Sequence, residues 1–251
     1  MELSNRSEHH AKPKAGKLPL SLVTGRSARP RRPERNPDRD VGHAPSLTDR
    51  DVLNAYRRWA PVYDNTFGRL VKEARLAAVD HINGRDGSVL EVGVGTGLSL
   101  PAYRDALEIV GIDLSPEMLT KARSRVDRLG LSNVSALHQM DASDLSAFED
   151  GAFDTVVGMF VITVVPNPTA VMHELARVCA PGGEVLLVNH FSQTNGARGW
   201  IERRMAPFAD KLGWHPVFDL SNVTVSAALE LMETRPLNPL GLFTLVRFTK
   251  R

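Results

Sequence analysis

Apolar positions along this chain change their spacing repeatedly, and each change predicts an element. Val89 to Val92 is a short apolar run interrupted by Glu91. Gly93, Gly95 and Gly97 follow at alternate positions. The pattern predicts a buried strand, a tight turn and a helix starting near Leu98, because glycine takes backbone angles that other residues resist. Glu108 to Asp113 reads as a second strand, and Ser135 to Asp141 as a third. Between them Pro116 to Leu129 has helical spacing, with Ser115 as its cap and Pro116 at its first position. Phe153 to Met159 is a fourth strand. Thr169 to Cys179 is a helix broken by Pro181-Gly182-Gly183, and Glu184 to Asn189 is a fifth strand, apolar enough to lie inside a sheet. Gly199 to Leu212 reads as a helix with Ile201, Met205, Phe208 and Leu212 on one face and a kink at Pro207. Leu229 to Arg235 and Leu242 to Phe248 bracket a turn-rich stretch. Strands alternating with helices are the signature of an α/β fold built on a parallel sheet.

Ahead of the first strand the pattern differs. Leu70 to Ile82 is amphipathic, with Leu70, Val71, Ala74, Ala77 and Ala78 on one face. Ser46 to Asp64 carries Val52, Tyr56 and Trp59 at helical spacing, flanked by Arg50, Arg57 and Arg58, and Pro61 ends it. Residues 1 to 45 are rich in Arg, Lys, Pro, Ser and Asn. The run Arg29-Pro30-Arg31-Arg32-Pro33 neither continues a helix nor buries much surface. The expected organisation is a disordered basic tail over residues 1–45 and one domain over residues 46–251, with amphipathic helices over 46–82.

Composition narrows this picture modestly. The chain has 251 residues, 42% of them hydrophobic, enough for one sizeable α/β core. A net charge of +2 dictates no partner. The single cysteine, Cys179, fits a reducing compartment and reads as buried filler rather than a nucleophile. No apolar run is long enough to span a bilayer, and the polar, lysine-bearing start has no cleavable signal pattern. No histidine pairs with acids or cysteine at metal-ligand spacing.

The glycine turn is informative in its details. A dinucleotide site wants its third glycine at position 98, where this chain has Leu98. The glycine-lysine loop of nucleoside triphosphate sites is also missing. Glu91 before the turn is an awkward neighbour for a pyrophosphate but suits a ligand with a cationic amine. Asp113, at the end of the second strand, is placed to accept from two ribose hydroxyls, and Asp141 from an adenine amino group. Three acids at successive strand tips converge on the crevice where α/β folds bind ligands.

These residues resemble the class I S-adenosylmethionine-dependent methyltransferases over roughly residues 50 to 250. The words Tyr56-Arg57-Arg58-Trp59-Ala60-Pro61-Val62-Tyr63-Asp64, the block Leu90 to Pro101, and Val188-Asn189-His190-Phe191 are similar to the bacterial phosphatidylethanolamine N-methyltransferases. The resemblance implies a Rossmann-like, seven-stranded, mostly parallel sheet with an antiparallel last strand and helices on both faces. It implies S-adenosylmethionine as cofactor, with Glu91, Gly93, Gly95, Gly97, Asp113, Leu114, Asp141, Ala142 and Met159 around it. It further implies stepwise methylation of a phospholipid amine towards phosphatidylcholine, by a monomer on the inner face of the cell membrane, without nucleic acid.

Methyl transfer to an amine needs a free nitrogen lone pair, so something must take a proton from the ammonium. His190, at the end of the fifth strand and expected to face the crevice, is the candidate base, with holding a lipid phosphate as its other reading. Tyr63 and Tyr56 are candidates to hydrogen-bond the amine and face the methylated cation. Trp59 and Trp200 suit a membrane interface. Arg203 and Arg204, with Lys211 nearby, suit phosphate. Two other readings remain at this stage: a methyltransferase for a small molecule or quinone ring, and a basic-tailed nucleic-acid-binding protein that uses the domain as a scaffold.

Overall fold

The structure is a computed structural model that describes residues 71–191, 218–238 and 241–251. The tail expected over residues 1–45, the helix over 46–64 and the helix over Gly199 to Leu212 lie outside the described residues.

The described strands are β1 (Ser88–Val92), β2 (Glu108–Asp113), β3 (Val134–Gln139), β4 (Phe153–Met159), β5 (Cys179–Asn189), β6 (Leu229–Leu237) and β7 (Phe243–Lys250). They form a seven-stranded sheet in the order β3-β2-β1-β4-β5-β7-β6. Strands β1 to β5 pair in parallel, while β7 runs antiparallel to both β5 and β6. The helices are α1 (Lys72–Asn83), α2 (Pro116–Leu129) and α3 (Pro168–Val178).

Side-chain alternation along the strands builds a core on each face. Val89 of β1 joins Ala78, Ile82 and Leu119 in the cluster beneath α1 and α2. Its neighbours Leu90 and Val92 join Val156, Met172 and Leu175 beneath α3. Leu90 is fully buried, and burying such a side chain is worth about 2 kcal/mol. Ser115 caps α2 as expected, its Oγ accepting from the Met118 N–H at 3.2 Å. Asn167 does the same for α3, accepting from Ala170 N–H at 3.0 Å ahead of Pro168.

Four details differ from the sequence reading. No α-helix starts near Leu98. Only a 3-10 turn, Leu100–Ala102, follows the glycines. Asn83, at the end of α1, supplies the reason: its Nδ2 donates to Ala102 O and its Oδ1 accepts from Arg104 N–H, both at 2.9 Å. The side chain satisfies two backbone groups that a helix would have paired internally, and Tyr103 between them is extended. Second, β3 stops at Gln139, so Asp141 lies two residues beyond it. Third, β5 begins at Cys179, and Pro181-Gly182-Gly183 is taken into its irregular start. Burial pushes the Cys179 thiol up to about 11, which leaves it protonated and unreactive at neutral pH. Fourth, β6 runs on to Leu237 through Pro236, which an edge strand tolerates.

At the end of the sheet away from the glycine turn, Glu184 of β5 pins α1 and β7 together. Only 6% exposed, it meets His81 Nε2 at 2.9 Å, Arg85 Nη1 at 3.1 Å and Arg247 Nη1 at 3.1 Å. Removing the carboxylate strands three donors that are each about a quarter exposed, so water recovers part of the loss. Glu184→Ala is expected to cost about 2 kcal/mol in a urea titration; an unchanged midpoint would show that the cluster adds nothing.

Candidate functional site

Strand order reverses between β2 and β4 on either side of β1, and the crevice at such a switch point is where α/β sheets bind ligands. The turn after β1 opens it. Gly93 has φ +71°, and a Cβ there would lie 2.9 Å from two side-chain carbons of Val161. The segment after β4 therefore closes onto the turn as only glycine allows. The turn is fixed from the other side by Asp113, the last residue of β2. Its Oδ2 accepts from Gly95 N–H at 2.8 Å and its Oδ1 from Ser115 N–H at 2.9 Å. Burial raises the Asp113 pKa, and these two bonds oppose the rise. Each carboxylate oxygen has a second acceptor site, so Asp113 can still receive two hydroxyls.

An open cleft lies there, at the place where α/β sheets receive nucleosides. Gly93, Gly95, Asp113, Leu114, Asp141, Ala142 and Met159 all line it. One Asp141 oxygen accepts from the Ser143 N–H and Oγ, both at 2.8 Å, which turns the carboxylate at the β3 end toward its own loop. The remaining wall is apolar: Phe160, Val161, Val164 and Val165, from the segment between β4 and α3. This wall has no counterpart in the sequence reading. Gly97 stands behind the cleft, where a Cβ would press on Leu100 Cδ1 at 2.8 Å and on Ala122 of α2 at 3.3 Å.

Glu91 is placed differently from the expectation that it faces the ligand. It is 3% exposed and is not among the residues lining the cleft. It shares the α1 side of β1 with Val89. There one oxygen accepts from Ser99 Oγ at 2.6 Å and the other from Tyr103 OH at 2.9 Å. The extended backbone at Tyr103 is what brings that hydroxyl back. Desolvation raises the Glu91 pKa to about 7, against the Ser99 and Tyr103 bonds and the charge of Arg75, with Asp113 pushing it further up. Its partners Ser99 and Tyr103 were not read from the sequence, although they lie eight and twelve residues downstream.

His190 follows the last residue of β5, and its Nδ1 is 3.2 Å from Leu242 O, just ahead of β7. It stands beside the cleft rather than lining it. With Nδ1 donating to that carbonyl, Nε2 carries the lone pair. Tyr56, Trp59, Tyr63, Trp200, Arg203 and Arg204 lie outside the described residues.

Because its folded pKa of about 7 exceeds the ordinary 4.5, Glu91 destabilises the ligand-free fold as pH rises. Its stabilising share is fully present below 4.5 and is lost through 7, a span worth about 3 kcal/mol. Glu91→Gln removes the titration. Denaturant titrations at pH 5 and pH 8 are expected to show the variant gaining about 2 kcal/mol on wild type between the two. The same difference at both pH values would mean Glu91 titrates normally.

A family model described as "Methyltransferase domain" matches residues 90–187. The phosphatidylethanolamine N-methyltransferase of Cereibacter sphaeroides is 48% identical over 200 residues, covering 80% of this chain and 98% of that one. Among solved structures, the [4+2]-cyclase SpnF superposes with a TM-score of 0.66 at 18% identity, covering 84% of this chain and 99% of that one. A SAM-dependent methyltransferase from Aquifex aeolicus gives 0.51 at 18% identity, covering 70% and 89%. At that identity the two structures speak for the fold alone. The Cereibacter sphaeroides relative speaks for more, since its likeness runs along nearly its whole length: this chain belongs to the phosphatidylethanolamine N-methyltransferase family of class I methyltransferases.

Proposed function

We propose that this protein transfers methyl groups from S-adenosylmethionine to the amine of phosphatidylethanolamine at a membrane surface, continuing through the mono- and dimethyl forms. The observation that carries the reading is the 48% identity along 98% of a relative named for that reaction. The cleft supports it, because acidic strand tips meet an apolar wall there. Asp113 fits two ribose hydroxyls, and Asp141 fits an amino group on a base. Glu91, buried behind the turn, contributes negative potential to the positive end of the same ligand. S-adenosylmethionine supplies a methyl group activated by its sulfonium.

The protein's share of the reaction is placement and proton removal. A nitrogen lone pair attacks the methyl carbon in line, the carbon–sulfur bond breaks, and the nitrogen loses a proton for each transfer. The aliphatic part of the wall, Met159, Val164 and Val165, disfavours a charged ammonium and so promotes that loss. His190, at the next strand tip, is our candidate to receive the proton. Tyr56 and Tyr63 are proposed beside the amine, Trp59 and Trp200 in the lipid interface, and Arg203 and Arg204 on the phosphate. No helix among the described residues is long and apolar enough to cross a membrane. We assign lipid contact to the surface, through residues 46–82, with the basic residues 1–45 drawn to anionic lipid.

Purified protein with labelled S-adenosylmethionine and phosphatidylethanolamine vesicles is expected to yield labelled mono-, di- and trimethylated lipid. Asp113→Asn should weaken S-adenosylhomocysteine binding about 10-fold or more in calorimetry, the scale of a hydrogen bond to a charged group. His190→Ala should keep that binding and lose turnover. Label passing to a quinone or soluble acceptor, with none in lipid, would overturn the assignment.

A further inference from the structure

Phe160 is the one non-glycine residue with positive φ among the described residues, at +62°. Successive side chains of a strand point to opposite faces. Met159 packs into the apolar cluster on the α1 face, so Phe160 would be expected to face α3. Instead its ring packs on that same α1-side cluster, 5.1 Å from the ring of Phe243 in an edge-to-face pair at 78°. Its N–H still donates to Val188 O at 2.7 Å, so the ladder with β5 is kept and the reversal falls on this residue. The chain then returns, and Val161 and Ile162 pack on the α3 side. A phenylalanine in this region of backbone space is strained, and such residues cluster where a site needs a side chain held in one direction. The ring is half-buried and its remaining surface lines the cleft.

We propose that Phe160 is the wall against which the acceptor nitrogen sits, and that its ring selects amines that become progressively more methylated cations. The proposal rests on the amine-methylating reading above and names the residue that recognises the acceptor. The face of an aromatic ring attracts an alkylammonium without needing an N–H donor. That attraction survives replacement of each hydrogen by methyl. A carboxylate would hold the unmethylated ammonium hardest, keep it protonated, and lose hydrogen bonds at each step. A ring suits a site that must receive the same nitrogen again after every transfer, and the edge-to-face contact with Phe243 fixes the ring's plane.

The test uses the full chain with S-adenosylhomocysteine bound, titrated with glycerophosphocholine and glycerophosphoethanolamine. Phe160→Leu is expected to weaken glycerophosphocholine binding about 5- to 20-fold, the scale of a desolvated cation–ring contact. S-adenosylhomocysteine affinity should fall much less than headgroup affinity, and Phe160→Tyr should restore headgroup binding. On phosphatidylethanolamine vesicles, Phe160→Leu should accumulate the monomethyl product. Phe160→Gly, free of backbone strain, repeats the comparison should the leucine variant unfold. Wild-type headgroup affinity and product distribution in the variants would overturn the proposal. So would equal weakening of headgroup and S-adenosylhomocysteine, which would mark a general distortion. A wild-type protein that neither binds headgroups nor methylates the lipid would fail earlier, at the lipid reading, and take this proposal with it.

Discussion

A single carboxylate joins the two strand tips that make the cleft. Asp113 holds the Gly95 amide of one turn and the Ser115 amide that begins α2. Both donors belong to backbone that would otherwise be unsatisfied, so one side chain orders a turn and a helix start together. The flap after β4 can then close on Gly93, because Val161 leaves no room there for a side chain. With the Val94 N–H bond to Ile112 O at 2.9 Å, that tie sets the height of the glycine turn above the sheet, opposite the apolar wall.

The second constraint is electrostatic. Glu91 and Asp113 stand on neighbouring strands, and each raises the cost of ionising Glu91: one through its burial, the other through its charge. Ser99 and Tyr103 lower that cost but do not cancel it. The ligand-free site therefore holds a carboxylate poised near neutrality, and a cation in the cleft favours its charged form. A ligand that loses its positive charge also loses part of its hold. That is a useful asymmetry for a site proposed to bind a sulfonium and release a neutral thioether.

Much of this was legible in the sequence, for local reasons. Glu108 to Asp113, Pro116 to Leu129 and Phe153 to Met159 appear with the expected ends; a terminal acid marks the first, and a serine cap with a following proline marks the second. The failures around the cleft are long-range, unlike the shifted ends of β3, β5 and β6. The helix near Leu98 yields to Asn83, whose side chain pairs two backbone groups from another element. Glu91 reads as a ligand contact because it precedes a glycine turn. Strand parity turns it inward, and only Tyr103's extended backbone shows what satisfies it. Phe160 looks like the next residue of an ordinary strand, since no local pattern announces a left-handed backbone at a phenylalanine. His190 was expected to face the crevice, yet its partner is a carbonyl just ahead of β7, which no spacing within β5 reveals.

Two of these failures, at Phe160 and His190, fall on the side of the cleft where we propose the acceptor enters. A [4+2]-cyclase and a methyltransferase share this sheet, so the architecture does not fix the reaction. The acids at the β2 and β3 tips and the glycine turn suit one kind of nucleoside whatever is done to its partner, and they sit in regular positions that sequence patterns report. On the proposed reading the acceptor meets what lies beyond β4 and β5, where one residue leaves its strand geometry and the next strand tip leans toward β7. Irregular backbone can aim a side chain where regular alternation cannot. On that reading specificity is concentrated where secondary-structure rules stop applying, and substitutions there change the acceptor while leaving the nucleoside side of the cleft intact.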